Sequence, residues 1–312
     1  MSGSNPEMSV VIPFLDEMPN LRELVPRLEH FFASLGVCAE VIFVDDGSTD
    51  GGFEYLLAQA HRGYDARFVK LSRNFGTHSA LRAGILHARA DRVVNIYADH
   101  QDPPELIRSL RARLDEGYDI VYAVRAKVAS GKLERMFSRI YARLIRTLVF
   151  KDYPPGGFDI VMFNGKVKAE LNLFPEPDSS IFLQIVTFGF RQGTVSYERQ
   201  GRGAGTSKWT LAKKVKLLID SVLSFSYVPI RMVSISGLVL AAVGLCWAVA
   251  ILARALVFRD LVPGWPSLIA ILMIGFGATN FALGIVAEYL WRTLNAARRR
   301  PIFIVDRVVD RP

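Results

Sequence analysis

Over roughly its first 125 residues the chain alternates short apolar runs with stretches of helical periodicity. Ser9 to Pro13 (SVVIP) is an apolar run closed by proline. Over residues 16–34, Leu21, Leu24, Val25, Leu28 and Phe31 then recur at helical spacing, which predicts an amphipathic helix. Glu40 to Asp46 (EVIFVDD) reads as a second buried strand ending in paired acids, and Gly47-Ser48-Thr49-Asp50 as turn and helix-cap chemistry. A helix from Phe53 to His61, a strand from Ala66 to Leu71, a turn at Arg73–Gly76 and a helix from His78 to Ala88 follow. Arg92–Tyr97 and Asp119–Val124 are the fourth and fifth strands. Strands alternating with helices in this way predict a mostly parallel α/β sheet covered on both faces. The region contains no G-x-G-x-x-G and no G-x-x-x-x-G-K-[ST], which tells against the common dinucleotide and P-loop folds.

The pattern changes after the fifth strand. Over residues 132–150, Leu133, Met136, Phe137, Ile140, Leu144 and Leu148 form an apolar stripe, with Lys132, Arg135, Arg139, Arg143 and Arg146 between them. A basic amphipathic helix of this kind can lie in a membrane interface. A second one is expected over 208–228, with Lys213, Lys214 and Lys216 near its start. Residues 229–256 and 267–290 are apolar and long enough to span a bilayer, which takes about 20 residues. Both carry glycines that permit close helix packing. Arginines and lysines flank the outer ends of the two spans, so the positive-inside rule places both termini and the large domain in the cytoplasm. For Glu288 two readings are open, pairing with a neighbouring arginine or simply sitting at the interface, and the second is preferred. The chain thus divides into a flexible lead (1–8), a catalytic-type domain (9–207), the juxtamembrane helix, the two spans and a tail (291–312). Two spans are few, and their glycine-bearing faces and the tail from Arg298 to Val305 offer packing surfaces, so a homo-oligomer, a tetramer, is expected.

Composition sharpens this picture. Of the 312 residues 51% are hydrophobic, the excess lying mostly after Tyr227, and the net charge is +8. A basic membrane protein is expected to meet anionic lipids and phosphorylated ligands rather than nucleic acid. The two cysteines, Cys38 and Cys246, sit in unlike contexts; neither a disulfide nor a zinc site is expected.

Candidate chemistry collects at predicted strand ends. The apolar run Val93, Val94, Ile96 stops at Asp99 and Asp102, with Gln101 between them and Pro103-Pro104 behind. Oxygen donors at Asp99 and Gln101 suit a hard cation, Mg²⁺ or Mn²⁺, that would in turn hold a phosphate; His100 is a further candidate, although imidazole suits Mg²⁺ poorly. Pro13 with Asp16 and Glu17, the Asp45-Asp46 pair, and the Arg73 to Gly76 turn end the other strands. In a parallel sheet these ends share one edge, where ligands bind. Each site alone is also compatible with helix capping; together they point to a nucleotide whose phosphates are metal-bound. Much later, Glu198 to Lys208 (ERQGRGAGTSK) offers Arg199, Arg202, Ser207 and Lys208 as a phosphate grip just before the membrane-entry helix. A nucleotide site in the domain and a phosphate site at the bilayer suggest group transfer to a lipid phosphate.

The segments SVVIP, EVIFVDDGSTDGG, LSRNFGTHSALRAGI, ADHQDPPE, RGAGTSKW, VPGWPS and RRRPIFIV together resemble the polyprenyl-phosphate glycosyltransferases of glycosyltransferase family 2, similar to dolichol-phosphate mannose synthase, with the bacterial two-span subgroup nearest. The resemblance implies a GT-A fold, a nucleotide-sugar donor, a polyprenyl (undecaprenyl-type) phosphate acceptor and a place in the bacterial inner membrane. It puts Pro13, Glu17 and Asp46 at the nucleoside, joined by Asp45, Arg73, Asn74 and Gly76 from the sites above. It puts Asp99 and Gln101 at the metal and diphosphate, Arg202, Ser207 and Lys208 at the acceptor phosphate, and Arg125 as a further phosphate-facing arginine. Asp99, Asp159 and Arg202 are the catalytic candidates. UDP is preferred over GDP on subgroup resemblance alone. Two departures stand out. Where relatives commonly read D-A-D, this chain has Tyr97-Ala98-Asp99. Many relatives also carry an acid just before a phenylalanine, whereas here Gly157 precedes Phe158 and Asp159 follows it, a shift that keeps the strand face and moves the reach by ~6–7 Å. Alternative readings are a family 2 scaffold that binds without turnover, which Tyr97 favours, and a transferase acting on another lipid acceptor. A processive enzyme would be expected to have more spans and a Q-x-x-R-W type motif, and the chain has neither.

Overall fold

The computed structural model describes residues 5–127, 143, 145–147, 154, 157–176, 180–198, 226, 228–258, 264–298 and 300–311. They form two units. The first joins the N-terminal domain to residues 301–312, and the second holds residues 222–300.

The first unit is built on an eight-stranded sheet. In chain order its elements are β1 (Met8–Phe14), α1 (Met18–Leu35), β2 (Ala39–Asp45), α2 (Gly52–Ala58), β3 (Asp65–Leu71), α3 (Thr77–His87), β4 (Arg92–Asn95), α4 (Leu106–Asp115), β5 (Ile120–Lys127), β6 (Ile160–Phe163), α5 (Gly165–Leu173), α6 (Ile181–Thr187), β7 (Gln192–Glu198) and β8 (Val305–Arg311). The strand order is β7-β5-β6-β4-β1-β2-β3-β8. β4, β1, β2 and β3 pair in parallel, as do β5 and β7, while β6 and β8 run antiparallel to their neighbours. All seven residues of β1 and of β2 are buried. Their continuous apolar runs mark strands covered on both faces.

Alternation along the strands divides the core. Met8, Val10, Ile12, Val41, Phe43 and Phe68 pack with α1, α2 and α4, through Leu21, Leu28, Phe53, Leu56, Ile107 and Leu110 among others. The opposite face is covered by α3, which lies close against β1 and β2. At Gly84 of α3 an added Cβ would come within 2.3 Å of Val11 Cγ1 and 3.0 Å of Val44 Cγ2, so glycine there is what lets helix and sheet approach. Pro26 lies inside α1 without ending it, and Gly36 closes that helix in the left-handed conformation, donating to Phe32 O.

The order of strands explains where a ligand can enter. From β1 the chain moves outward to β2 and β3, then crosses to the other side of β1 for β4. The carboxyl ends of β1 and β4 therefore flank a topological switch point, the usual crevice of open α/β sheets.

The second unit contains α7 (Val228–Phe258) and α8 (Trp265–Ala297). Stretches of 22 and 25 residues within them are long and apolar enough to cross a membrane. Their large side chains, among them Leu238, Trp247, Phe276 and Phe281, are exposed, as expected of surfaces that face lipid. Glu288 pairs with Arg292 one turn on (3.0 Å), the reading that the sequence offered but did not prefer.

The expected interfacial helix over 132–150 is described only at Arg143 and residues 145–147, which are helical with Ile145 buried. The juxtamembrane helix lies outside the described residues except at Ser226 and Val228. Residues 305–311, read from the sequence as part of a tail, instead add β8 to the free edge of β3. They do so by the register Val69↔Val308 and Lys70↔Arg307, with Ser72 N donating to Ile304 O at 3.0 Å.

Candidate active site

The ends of β1, β2, β3 and β4 are cross-linked by their loops. Asp16, in the left-handed region at φ 50°, accepts from Thr49 N (2.8 Å), and its own N–H donates to Ser48 Oγ (2.9 Å). Asp50 accepts from Met18 N at the start of α1 (2.8 Å) and from Gly52 N at the start of α2 (2.9 Å). Asp50 of the Gly47–Asp50 turn thus serves two helix starts and Asp16 ties its own loop to that turn, as their residue types suggest. Glu17, at the cap position of α1, accepts from Asn20 Nδ2. Pro13 lies buried on β1 beside Val44.

Asp46 joins β2 to the loop after β3. Its two oxygens accept from Phe75 N (2.8 Å) and Gly76 N (3.0 Å). Gly47, at φ 81°, permits this approach, since a Cβ there would lie 2.6 Å from Arg73 C and 2.7 Å from Asn74 N. Burial raises the Asp46 pKa to about 6 against the two N–H bonds that favour the carboxylate. Asp45 is buried too, and burial likewise raises its pKa against the bond from Ser48 N (2.7 Å). Arg73 and Asn74 are exposed, Arg73 lying over the Phe75 ring at 4.3 Å. The face they offer suits a planar base and its ribose.

Beyond β4 a second cluster forms from residues far apart in sequence. Arg125 of β5 donates to Asp159 Oδ2 in a close ion pair. Tyr197 of β7 lies beside Arg125 in register and donates to Asp102 Oδ1 (2.6 Å). Asn95 clips this end of β4 to β6, donating to Asp159 O (2.7 Å) and accepting from Val161 N (3.0 Å). Burial works against the Arg125 charge, but Asp159, Tyr197 and Asp102 outweigh it and hold its pKa above the usual value. Tyr97 looks into the same cluster. Burial, then the charges of Asp159, Asp102 and Asp99, push its phenol pKa well up, so it stays protonated.

Asp99 follows β4, and its Oδ1 accepts from Gln101 N at 3.3 Å. Gln101 is 6% exposed. Both nitrogens of His100 are engaged, Nδ1 with Arg27 (3.1 Å) and Nε2 with Asn20 O (2.8 Å). An arginine can only donate and a carbonyl can only accept, so Nδ1 accepts, Nε2 donates, and both nitrogens of His100 are committed to α1. This corrects its candidacy as a metal ligand. Among the described residues no group of three or more His, Cys, Asp or Glu side chains is arranged to hold a metal. A hard cation bound through one or two carboxylates and completed by substrate phosphates needs less, and Asp99 at the switch-point edge meets that smaller requirement.

Residues 9–169 match the family described as Glycosyl transferase family 2. The chain belongs to glycosyl transferase family 2. It is 33% identical over 302 residues to a glycosyltransferase of Synechocystis sp., covering 96% of this chain and 95% of the relative. It is 34% identical over 311 residues to the undecaprenyl-phosphate 4-deoxy-4-formamido-L-arabinose transferase of Edwardsiella ictaluri, covering 97% and 94%. Among solved structures, glucosyl-3-phosphoglycerate synthase from Mycobacterium tuberculosis, crystallised with Mn²⁺ and uridine-diphosphate-glucose, is 21% identical with a TM-score of 0.51 over 70% of this chain and 78% of that one. That likeness is one of fold, and the fold is the GT-A-like one expected.

In this glycosyltransferase the sequence-derived candidates Pro13, Glu17, Asp45, Asp46, Arg73, Asn74, Gly76 and Asp99 all lie at the carboxyl edge of β1 to β4. Arg125 and Asp159 come together beside them. Arg202, Ser207 and Lys208 lie outside the described residues. Sequence reasoning assigned no role to Tyr197, or to Asp102 beyond noting it. Asp102 could have been flagged by its place three residues after Asp99; Tyr197, on an unrecognised strand, carried no signal.

Proposed function

We propose that this glycosyltransferase moves a sugar from a nucleotide-sugar donor, preferentially a UDP-sugar, to polyprenyl phosphate of the undecaprenyl type. One observation carries the reading: relatives named as undecaprenyl-phosphate sugar transferases align over nearly their whole length, the two apolar helices included. The site supports it. The loops tied by Asp46 offer a nucleoside face, and the Arg125–Asp159 pair beyond β4 provides a cation and a carboxylate where the reacting groups would meet.

The reaction we infer is an inverting displacement at the anomeric carbon. An acceptor phosphate oxygen attacks, and the bond to the nucleoside diphosphate breaks with its electron pair leaving on the diphosphate. The acceptor is already anionic at neutral pH, so no strong general base is needed. Catalysis rests on positioning and on charge stabilisation. Arg125 and Arg202 would face phosphate oxygens, with Ser207 and Lys208 completing the acceptor grip. Asp159 would orient Arg125 and the substrate. A divalent cation, Mg²⁺ or Mn²⁺, held by Asp99 with Gln101 would supply positive charge to the leaving diphosphate. Tyr97 keeps a neutral hydroxyl where relatives commonly place an acid.

We further propose that the enzyme spans the bacterial inner membrane twice, with its large domain and both termini in the cytoplasm, contacts anionic lipids, and assembles as a homo-oligomer. β8 supports the shared side of the termini: residues after the second span pair with β3, which precedes the first.

The test is a screen of UDP- and GDP-sugars with purified protein, a short polyprenyl phosphate and Mn²⁺, with and without EDTA. Donor-dependent formation of polyprenyl-phosphate-sugar is expected, at least tenfold lower in Asp159→Asn. No turnover with any donor, despite nucleotide binding, would favour the scaffold reading. Undiminished transfer by Asp159→Asn would remove Asp159 from the site.

A further inference from the structure

A row of rings runs along the same edge. His78, the second residue of α3, meets Phe182 of α6 edge-on (5.5 Å, 72°), and Phe182 meets Phe158 edge-on (5.7 Å, 75°). Phe158 immediately precedes Asp159, whereas α3 begins at the loop that Asp46 holds. The row therefore links the nucleoside half of the site to the Arg125–Asp159 half.

His78 is the chemically unexplained member of this row. Its Nδ1 is shielded from solvent, and no hydrogen bond from a described residue reaches it. Buried polar atoms are almost always paired, and an exception asks for a reason. Docking of α6 on α3 does not supply one. Arg82, one turn further along α3, donates to Gln184 Oε1, and Gln184 in turn donates to Phe174 O. The buried polar link between the helices is thus complete without His78. Burial, then the adjacent Arg82 charge, lowers the imidazole pKa to about 4, so the ring is neutral.

A neutral imidazole presents one N–H and one lone pair. That matches a hydroxyl, which donates and accepts, better than a phosphate, which would prefer a cation. Aromatic rings beside it suit the C–H faces of a sugar ring, which are apolar. We propose that His78 is a specificity-determining residue that hydrogen-bonds a hydroxyl of the transferred sugar, while Phe182 and Phe158 pack on the sugar ring. This rests on the nucleotide-sugar reading above and adds which side chain reads the sugar.

The test compares binding of UDP, UDP-glucose, UDP-galactose and UDP-N-acetylglucosamine to the full-length protein in detergent, for wild type, His78→Phe and His78→Gln. His78→Phe keeps a ring against Phe182 but has no nitrogen, whereas His78→Gln keeps a donor and an acceptor. For at least one UDP-sugar, the affinity relative to UDP is expected to fall about tenfold in His78→Phe and to recover in part in His78→Gln, the scale of one lost buried hydrogen bond, with UDP affinity itself unchanged. An unchanged ratio for all three sugars, or an equal loss for UDP and the UDP-sugars, overturns the assignment. If His78→Phe does not fold, His78→Met against His78→Gln decides by the same ratio. Wild-type protein that binds none of the four nucleotides overturns the donor reading, and the role of His78 falls with it. Wild type that binds them while its variants match it overturns only the role of His78.

Discussion

Asp46 shows how one carboxylate can serve both structure and pH response. Its oxygens take two backbone N–H groups from the loop after β3, yet burial wins and its pKa stands at about 6, above the ordinary 3.8. Between these values the folded state binds more protons than the unfolded one, so the contribution of Asp46 to stability is greatest below about pH 4 and declines as pH rises through about 6. A shift of this size corresponds to a change on the order of 2–3 kcal/mol. Thermal unfolding of wild type and Asp46→Asn between pH 4 and 7 is expected to show this decline in wild type only, over a constant offset from the bond the amide cannot accept. Parallel curves would mean that Asp46 titrates near its ordinary value. Tyr97 is intelligible at the same scale. Asp99, Asp102 and Asp159 already bear on its phenol, and a fourth carboxylate there would add charge repulsion that a neutral hydroxyl avoids.

At the scale of elements, β8 ties the C-terminus to the site. It covers the free edge of β3, Arg67 pairs with its Asp310 (2.5 Å), and Ile304 O receives the N–H of Ser72, the residue just before Arg73–Gly76. The Arg67–Asp310 pair is partly exposed and is worth at most about 1 kcal/mol; the strand pairing and the anchored loop matter more. A chain ending at Pro301 is expected to unfold at a lower temperature and to bind UDP about three- to tenfold more weakly, read by calorimetry, whereas Asp310→Asn should leave UDP binding unchanged. If the shortened chain binds UDP as wild type does, the loop holds its shape without β8. This element also marks the limit of what the sequence discloses. β1, β2 and β4 are legible because buried parallel strands are largely apolar runs that stop at acids and turns, and β3 (DARFVKL) because its buried Ala66, Phe68, Val69 and Leu71 lie between two helical stretches. β8 (VDRVVDR) alternates with charges as a solvent-facing edge strand does, and nothing local distinguishes it from a tail. β6 and β7 are likewise short or polar. The meeting of Arg125 with Asp159, and of Asp102 with Tyr197, depends on those strands, so half of the site is invisible until the sheet order is known.

For the molecule as a whole, the division of the chain matters more than its length. Residues 1–221 and 301–312 form one unit, so the sheet is completed by a strand that follows both apolar helices. Cutting the chain after residue 221 removes the membrane segments, but it also leaves β3 as an open edge, a template for association. The two effects can be separated by joining residue 221 to residue 301 through a flexible linker, which keeps β8 and omits residues 222–300. This relinked domain is expected to be soluble and to bind UDP within about threefold of the full chain, because every donor-side residue is retained; the bound is the lower end of the loss expected when β8 is removed. It is also expected to lose association with vesicles and at least tenfold of its transfer to polyprenyl phosphate embedded in them, since burial of two ~20-residue apolar helices in the bilayer is what holds enzyme and acceptor on one surface. Vesicle flotation and a radiolabelled transfer assay measure the two losses independently. Full transfer by the relinked domain would show that the apolar helices contribute nothing to meeting the acceptor, and the lipid-phosphate assignment would then have to rest on the sheet edge alone.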